Sequence, residues 1–192
     1  MKALVVAHPD DEIIWFTPQI FDIIVIAFLA RHDKPYASYC RQQAIAAHPL
    51  KEKIILLKIE ESGYWKDKNR VSQLTLSKKI LFDSLFHLKE KFSFAEIFTH
   101  NSQGEYGHDD HILVNEAVTT VFSKAKIFCP IELNDSDHLP DAILVKNDLD
   151  FYFKVKELYV KNRAWTWKSD YIPPDNLYYS LHQSMSFNND NC

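Results

Sequence analysis

The chain has 192 residues, with 22 Lys and Arg against 26 Asp and Glu, a formal charge of −4, and this balance excludes the strongly basic surface of a typical nucleic-acid binder. Hydrophobic residues make up 46% and charged residues 25%, the mix of a folded domain that buries a core and not of a disordered chain. Three cysteines, Cys40, Cys129 and Cys192, are too few and too scattered for a disulfide framework or a Cys-rich zinc site.

In chain order, Lys2–Ala7 is a β-branched run that turns sharply polar at His8, which suits a buried strand feeding a functional turn. It is too short for a signal-peptide core. Ile23–Leu29 is a second apolar run. The stretch around it, Ile20 to Ala30, is interrupted by Asp22 and falls well short of the roughly 20 residues that span a bilayer. A cytoplasmic protein without a membrane span is the expectation. Tyr36–Ala47 predicts a helix that stops before His48-Pro49, because proline disfavours helix in the residue before it. Lys53–Ile59 is a third strand-like run. Val71–Phe92 predicts a helix with Leu74, Ser77, Leu81, Leu85 and Leu88 on one stripe.

Ala95–Thr99 is the fourth run, and Asp109–Ala125 repeats the helical pattern through Ile112, Val114, Ala117, Val118 and Val121. Lys126–Leu133 and Ala142–Val145 predict two more strands, and Asp148–Arg163 a last amphipathic helix. Pro173-Pro174 opens a tail, Asp175–Cys192, expected to be peripheral and frayed. Strands that are apolar nearly throughout are covered on both faces, as in parallel sheets. Their alternation with helices predicts a single α/β domain over residues 1–192, a sandwich with right-handed crossovers.

In open parallel sheets, sites form at the carboxyl ends of strands. Two of these ends are rich in ligand-type residues. After the first strand comes His8-Pro9-Asp10-Asp11-Glu12. After the fourth comes His100-Asn101-Ser102-Gln103-Gly104-Glu105-Tyr106-Gly107-His108-Asp109-Asp110-His111. His8 and Asp11 stand three apart, so one turn can aim both at a single point, and imidazole with carboxylate suits Zn²⁺. Taken alone, the first block reads more readily as a cluster of helix N-caps. His108 and His111 are also three apart and share a helix face, which taken alone is an ordinary surface pair. Gly104 and Gly107, two of only three glycines in the chain, sit in the second loop and point to positive φ or close backbone approach there. Together the blocks supply three or four convergent ligands at one sheet edge.

His8-Pro9-Asp10-Asp11-Glu12 followed by Gly107-His108-Asp109-Asp110-His111 resembles the zinc-dependent deacetylases of the PIG-L/LmbE family, which remove acetyl groups from N-acetylglucosamine in glycoconjugates. The resemblance covers most of the chain in strand order. It implies a Rossmann-like three-layer sandwich with a mainly parallel central sheet, and one Zn²⁺ per chain held by His8, Asp11 and His111. It further implies Asp10 as general base and His108 as second catalytic histidine, with Tyr106 assisting at the substrate carbonyl. His108, if cationic, can stabilise the oxyanion and donate to the departing nitrogen. Arg41 and Asp67 match substrate-contacting positions of relatives. Imidazole and carboxylate also accept Fe²⁺, Co²⁺ and Mn²⁺. No Gly-x-Gly-x-x-Gly turn follows the first strand, so the topology does not indicate dinucleotide binding.

The implied partner is an N-acetylated sugar carried on a nucleotide, a lipid or an oligosaccharide, with no nucleic acid involved. The chain is short for the family, which implies a pared-down pocket or a second subunit at the mouth. Hydrolysis of another N-acyl substrate and non-catalytic carbohydrate binding are the rival readings.

Where relatives carry glycine after the first motif, Ile13-Ile14-Trp15-Phe16-Thr17-Pro18 stands here, with aromatics that either narrow the pocket or pack beneath the first helix. Arg41 is also readable as part of a solvated helix face. The aromatic stretch from Arg163-Ala164-Trp165-Thr166-Trp167 to Tyr178-Tyr179 either lines a sugar site or closes the core. His32, His48, His87 and His138 read as structural or exposed, and His182 as a surface histidine. Cys40 and Cys129 read as small buried hydrophobes, and Cys192 as incidental.

Overall fold

The computed structural model describes residues 1–131 and 142–182. The strands are β1 (Lys2–Val6), β2 (Ile23–Ala30), β3 (Ile54–Glu60), β4 (Glu96–Thr99), β5 (Lys126–Ile131), β6 (Ile143–Lys146) and β7 (Asn176–Leu181). The helices are α1 (Asp11–Ile14), α2 (Pro35–Ala46), α3 (Val71–Lys91), α4 (Gly104–Gly107), α5 (Asp109–Val121) and α6 (Leu149–Lys161). One sheet holds all seven strands in the order β3-β2-β1-β4-β5-β7-β6. The first five strands run parallel, and β7 is antiparallel to both β5 and β6. The expected mainly parallel α/β sandwich is thus the observed architecture.

Successive side chains of a strand point to opposite faces, and β1 shows the consequence. Ala3 and Val5 join one apolar layer with α3 and α5, including Leu81, Leu85, Val114 and Val118. Leu4 and Val6 join the other layer with α2 and α6, including Ala44, Tyr152, Val155 and Tyr159. Burial on both faces is why β1 and β2 read as unbroken apolar runs. The chain builds β1, β2 and β3 outward in one direction and then crosses to β4 on the other side of β1. The turns after β1 and β4 therefore face each other at the point where the strand order reverses, the place where open sheets bind ligands.

Two sequence expectations change. The tail is not peripheral: Asn176–Leu181 is β7, inserted between β5 and β6 with Leu177 and Tyr179 buried. It carries an alternating pattern because only one face of this strand meets the main core, and that pattern is weaker than the solid runs of β1 and β2. On α5, Ile112 is exposed and Leu113 buried, because Leu113 stands one turn before Ala117 on the same face, while Ile112, two residues before Val114, points to about the opposite side. Of the expected Lys126–Leu133 strand, Lys126–Ile131 is observed, and positions 132–133 lie outside the described residues. Cys40 and Cys129 are buried, as expected, while His138 and Cys192 lie outside the described residues. Among the described residues no helix is long and apolar enough to cross a membrane.

Candidate active site

The turn after β1 places His8, Asp10, Asp11 and Glu12 in succession, all buried. Asp10 adopts a left-handed backbone conformation, φ 94°, which costs a non-glycine residue roughly 1–2 kcal/mol. Two contacts hold it. The Asp10 N–H donates to Glu12 Oε2 at 2.9 Å, and Glu12 Oε1 accepts the Tyr159 hydroxyl of α6 at 2.7 Å. The left-handed turn brings Asp11 back toward His8, whose N–H donates to Asp11 Oδ2 at 2.7 Å.

The turn after β4 is bent by Gly104 and Gly107, whose φ values are +67° and +86°. The expected use of glycine is observed. Glu105 lies between them and binds both histidines behind the site. Its Oε2 accepts His100 Nδ1 at 3.0 Å and His111 Nδ1 at 2.6 Å, while Oε1 accepts the Asn101 N–H at 2.9 Å. Burial works against its charge, yet the two imidazoles hold its pKa down to about 2. His100 and His111 stack with ring centroids 3.8 Å apart.

Asp11 Oδ2 is the common point of the site. It lies 3.3 Å from His8 Nδ1 and 3.4 Å from His111 Nε2. Burial opposes ionisation of Asp11, but the imidazoles of His111, His100 and His8 hold it well below the usual carboxylate range. Three groups of side chains have donor atoms close enough to hold an ion: His8, Asp11 and His111; His8, His108 and Asp110; and His100, Glu105 and His111. Their hydrogen bonds separate them. In the third group Glu105 already satisfies both Nδ1 atoms, and His100 Nε2 accepts the Ala7 N–H at 2.9 Å. In the second, His108 Nδ1 accepts the Asp110 N–H at 3.2 Å, capping α5. His111 belongs to the first and third groups, but its Nδ1 faces Glu105, whereas its Nε2, buried and without a hydrogen-bond partner, lies on the Asp11 side, 3.4 Å from Oδ2. A carboxylate, two imidazoles and one orphaned nitrogen fit a divalent ion.

The other predicted residues are placed as follows. His108 is buried with its ring 4.8 Å from His111 and 4.9 Å from His8. Its surroundings favour the neutral ring. Burial lowers its pKa to about 3, with the neighbouring histidines adding to the effect. Because Nδ1 is an acceptor, Nε2 carries the hydrogen. Tyr106 is half exposed, with its ring 5.5 Å from His111 and 4.9 Å from Trp167, and burial of its hydroxyl raises its pKa.

Arg41 is not on a solvated face. It is 2% exposed and bound to Glu61 at 2.6 Å and to the Leu29 carbonyl at 3.2 Å. Asp67 is exposed and caps its own turn by accepting the Asn69 N–H. Of the residues after the first motif, Ile13, Ile14 and Phe16 are core, whereas Trp15 stacks toward Tyr106 and Trp167. His32 and His87 are exposed, and His182 meets the amino-terminal half of β5 through the Ile127 carbonyl. His48 is buried, with Nε2 3.6 Å from Glu12.

Sequence reasoning missed four contributors. His100 and Glu105 stand inside the second block without a role in its spacing. Asp110 binds Ser62 Oγ at 2.6 Å and lies 3.4 Å from His8 Nε2. Thr166 donates to Asp10 from the far end of the chain. Local spacing could have flagged His100, the first residue past an apolar run. The contacts of Ser62 and Thr166 join distant positions and leave no local trace.

No protein-family model matches the sequence, and no curated protein matches it. Solved structures do. A deacetylase triple mutant from the teicoplanin biosynthetic pathway superposes with a TM-score of 0.64 at 14% identity, covering 97% of this chain and 100% of that one. The zinc-inhibited form of teicoplanin deacetylase Orf2 gives 0.59 at 13% identity, covering 83% and 84%. A40926 pseudoaglycone deacetylase Dbv21 gives 0.57 at 11%, covering 82% and 80%. The chain has the fold of these deacetylases.

Proposed function

We propose that this protein is a metal-dependent hydrolase that removes the acetyl group from an N-acetylated amino sugar. The observation that carries the reading is the meeting of His8, Asp11 and His111 around one carboxylate oxygen, with His111 Nε2 left unpartnered. The structural neighbours named as deacetylases of teicoplanin and of the A40926 pseudoaglycone support it. Zn²⁺ is the ion that the family resemblance suggests, and one of the neighbouring structures is a zinc-inhibited form of its enzyme. A divalent ion in this donor set supplies Lewis acidity toward an acyl oxygen and makes water more acidic.

The chain's own residues then divide the remaining work. Asp10, one residue from the ligand Asp11, takes the proton of the attacking water. Burial and the neighbouring Asp11 charge raise its pKa, which makes it a better base than a surface carboxylate. The His108 Nε2–H donates a hydrogen bond to the oxygen that gains charge as the amide carbon becomes tetrahedral. Tyr106 keeps its phenolic hydrogen and is a second donor there. Asp10 returns its proton to the departing nitrogen. Arg41 acts through Glu61. The aromatic wall of Trp15, Tyr106 and Trp167 suits the apolar face of a sugar ring.

The test pairs metal analysis with amine release from N-acetylated sugars. Wild-type protein is expected to hold about one divalent ion per chain, and His8→Ala and His111→Ala to lose it. Asp10→Asn is expected to keep the ion while turnover falls at least ~100-fold. An ion retained in both histidine variants would overturn the ligand assignment. Loss of the ion in Asp10→Asn would make Asp10 a ligand.

A further inference from the structure

The aromatic segment near the C-terminus reaches the catalytic turn at one polar point. Thr166 donates twice to a single oxygen of Asp10, from its backbone N–H at 2.8 Å and from its hydroxyl at 2.7 Å, both to Oδ2. Among the described residues no hydrogen bond ends on Oδ1. Asp10 itself is 1% exposed, whereas Thr166 is on the surface. The segment is held in place independently of this contact. Ala164 is buried beside α6, and Trp167 packs on both Tyr106 and Trp15. The backbone of Asp10 is fixed separately through Glu12.

We propose that Thr166 is a positioning residue that occupies one oxygen of the Asp10 carboxylate so that the other, Oδ1, receives the proton. This rests on the reading of Asp10 as the base of an amide hydrolysis. A carboxylate with both oxygens free turns about its Cβ–Cγ bond and shares a proton between them. Two donors on Oδ2 stop that rotation and leave one lone-pair direction open. In the step, an O–H bond of the attacking water breaks and an Oδ1–H bond forms. The water oxygen's electron pair forms a bond to the acyl carbon as the carbonyl π pair moves onto the acyl oxygen; that pair then returns, the C–N bond breaks with its electrons going to nitrogen, and the Oδ1 proton is transferred to that nitrogen, releasing amine and acetate. Holding the acceptor oxygen in line matters because misplacing a reacting group by about 1 Å can cost on the order of 100-fold.

Two measurements test it, one without turnover. Thr166→Val keeps the β-branched shape and the backbone N–H but removes the hydroxyl. Since a hydrogen bond to a charged group is involved, it is expected to lower Tm by about 3–6 °C. In an Asp10→Ala background the same change is expected to shift Tm by less than about 1 °C. On an N-acetylated sugar, Thr166→Val is expected to lower kcat about 10-fold with KM and metal content unchanged, and Thr166→Ser to restore kcat within about threefold. Equal Tm shifts in both backgrounds would overturn the inference whatever the protein hydrolyses. So would wild-type kcat in Thr166→Val, or a Ser variant as slow as the Val variant. A wild-type protein that releases no amine from any N-acetylated sugar would instead overturn the functional reading, and with it the catalytic part of this one, while the Tm coupling would still report the contact.

Discussion

At the scale of single residues, buried charge is tolerated here because each group has a named partner, and the partners rather than the ligands set the site's shape. Glu105 illustrates this. One oxygen takes both Nδ1 hydrogens of His100 and His111, which turns His111 Nε2 toward Asp11. Partners of this kind fix the tautomer and orientation of metal-binding histidines. Glu105→Gln offers only one oxygen for three donors, so metal affinity is expected to fall about 10–100-fold in a competition titration against a chelator, with the fold retained by far-ultraviolet circular dichroism.

His48 gives a pH prediction away from the candidate ligands. Burial lowers its pKa to about 4 from an ordinary value of 6.5. Its Nδ1 accepts the Leu50 N–H, and its Nε2 is buried. The unfolded chain binds a proton at His48 below pH 6.5, while the folded chain resists it until about 4. The contribution of His48 is therefore full above the ordinary value and lost as pH falls through that window, by up to about 3 kcal/mol. Glu12, which faces it, has the opposite sign. Burial raises its pKa to about 8, so proton uptake by Glu12 favours the fold on acidification. Calorimetry at several pH values is expected to show a shallower loss of Tm between about pH 6.5 and 4 in His48→Asn than in the wild type.

At the scale of elements, the second loop is where local backbone and site geometry meet. Gly104 sits at φ +67°, and a Cβ there would lie 2.9 Å from Ile112 Cγ1 of α5. Gly104→Ala combines left-handed strain with that clash and is expected to cost about 1–3 kcal/mol, read as a lower Tm. Gly107 has a similar φ and open space around its Cβ position, so Gly107→Ala is expected to cost only the strain. The difference between the two variants separates crowding from backbone conformation. The same kink lets His108 serve both as the N-cap of α5, through Nδ1, and as a donor toward the site, through Nε2.

At the scale of the whole molecule, the sheet is completed by its last strand. Among the described residues β6 is hydrogen-bonded only to β7, and β7 joins it to β5. Ending the chain after Pro174 would remove β7, leave β6 without a neighbour, and expose the edge of β5. Unpaired edges of this kind promote aggregation. The shortened chain is expected to be insoluble, or to lose the cooperative thermal transition of the full protein. The segment between α6 and β7 has a second consequence, since it carries Thr166 and Trp167 to the β1 turn. Core closure and placement of the proposed base thus depend on the same stretch of chain.

How much of this was legible beforehand depended on the range of the interactions. The alternation of solid apolar runs with helical stripes marks β1 to β5 and α2, α3, α5 and α6, because burial on both faces requires apolar residues at every position of a strand. The two polar blocks stand at the ends of β1 and β4 for an equally local reason, and the positive φ of Gly104 and Gly107 follows from glycine's missing Cβ. What the sequence by itself determined was therefore the layered sandwich and the sheet edge at which the two polar blocks, with His8, Asp11 and His111, come together. Only the tertiary structure decided that the tail enters the sheet as β7, that Arg41 is buried against Glu61, that His108 is neutral, and that Thr166 reaches Asp10. Each of these depends on which distant segments meet, and on the low dielectric where they do. Burial and long-range hydrogen bonds fix charge states and side-chain partners without any periodicity that a linear sequence could display.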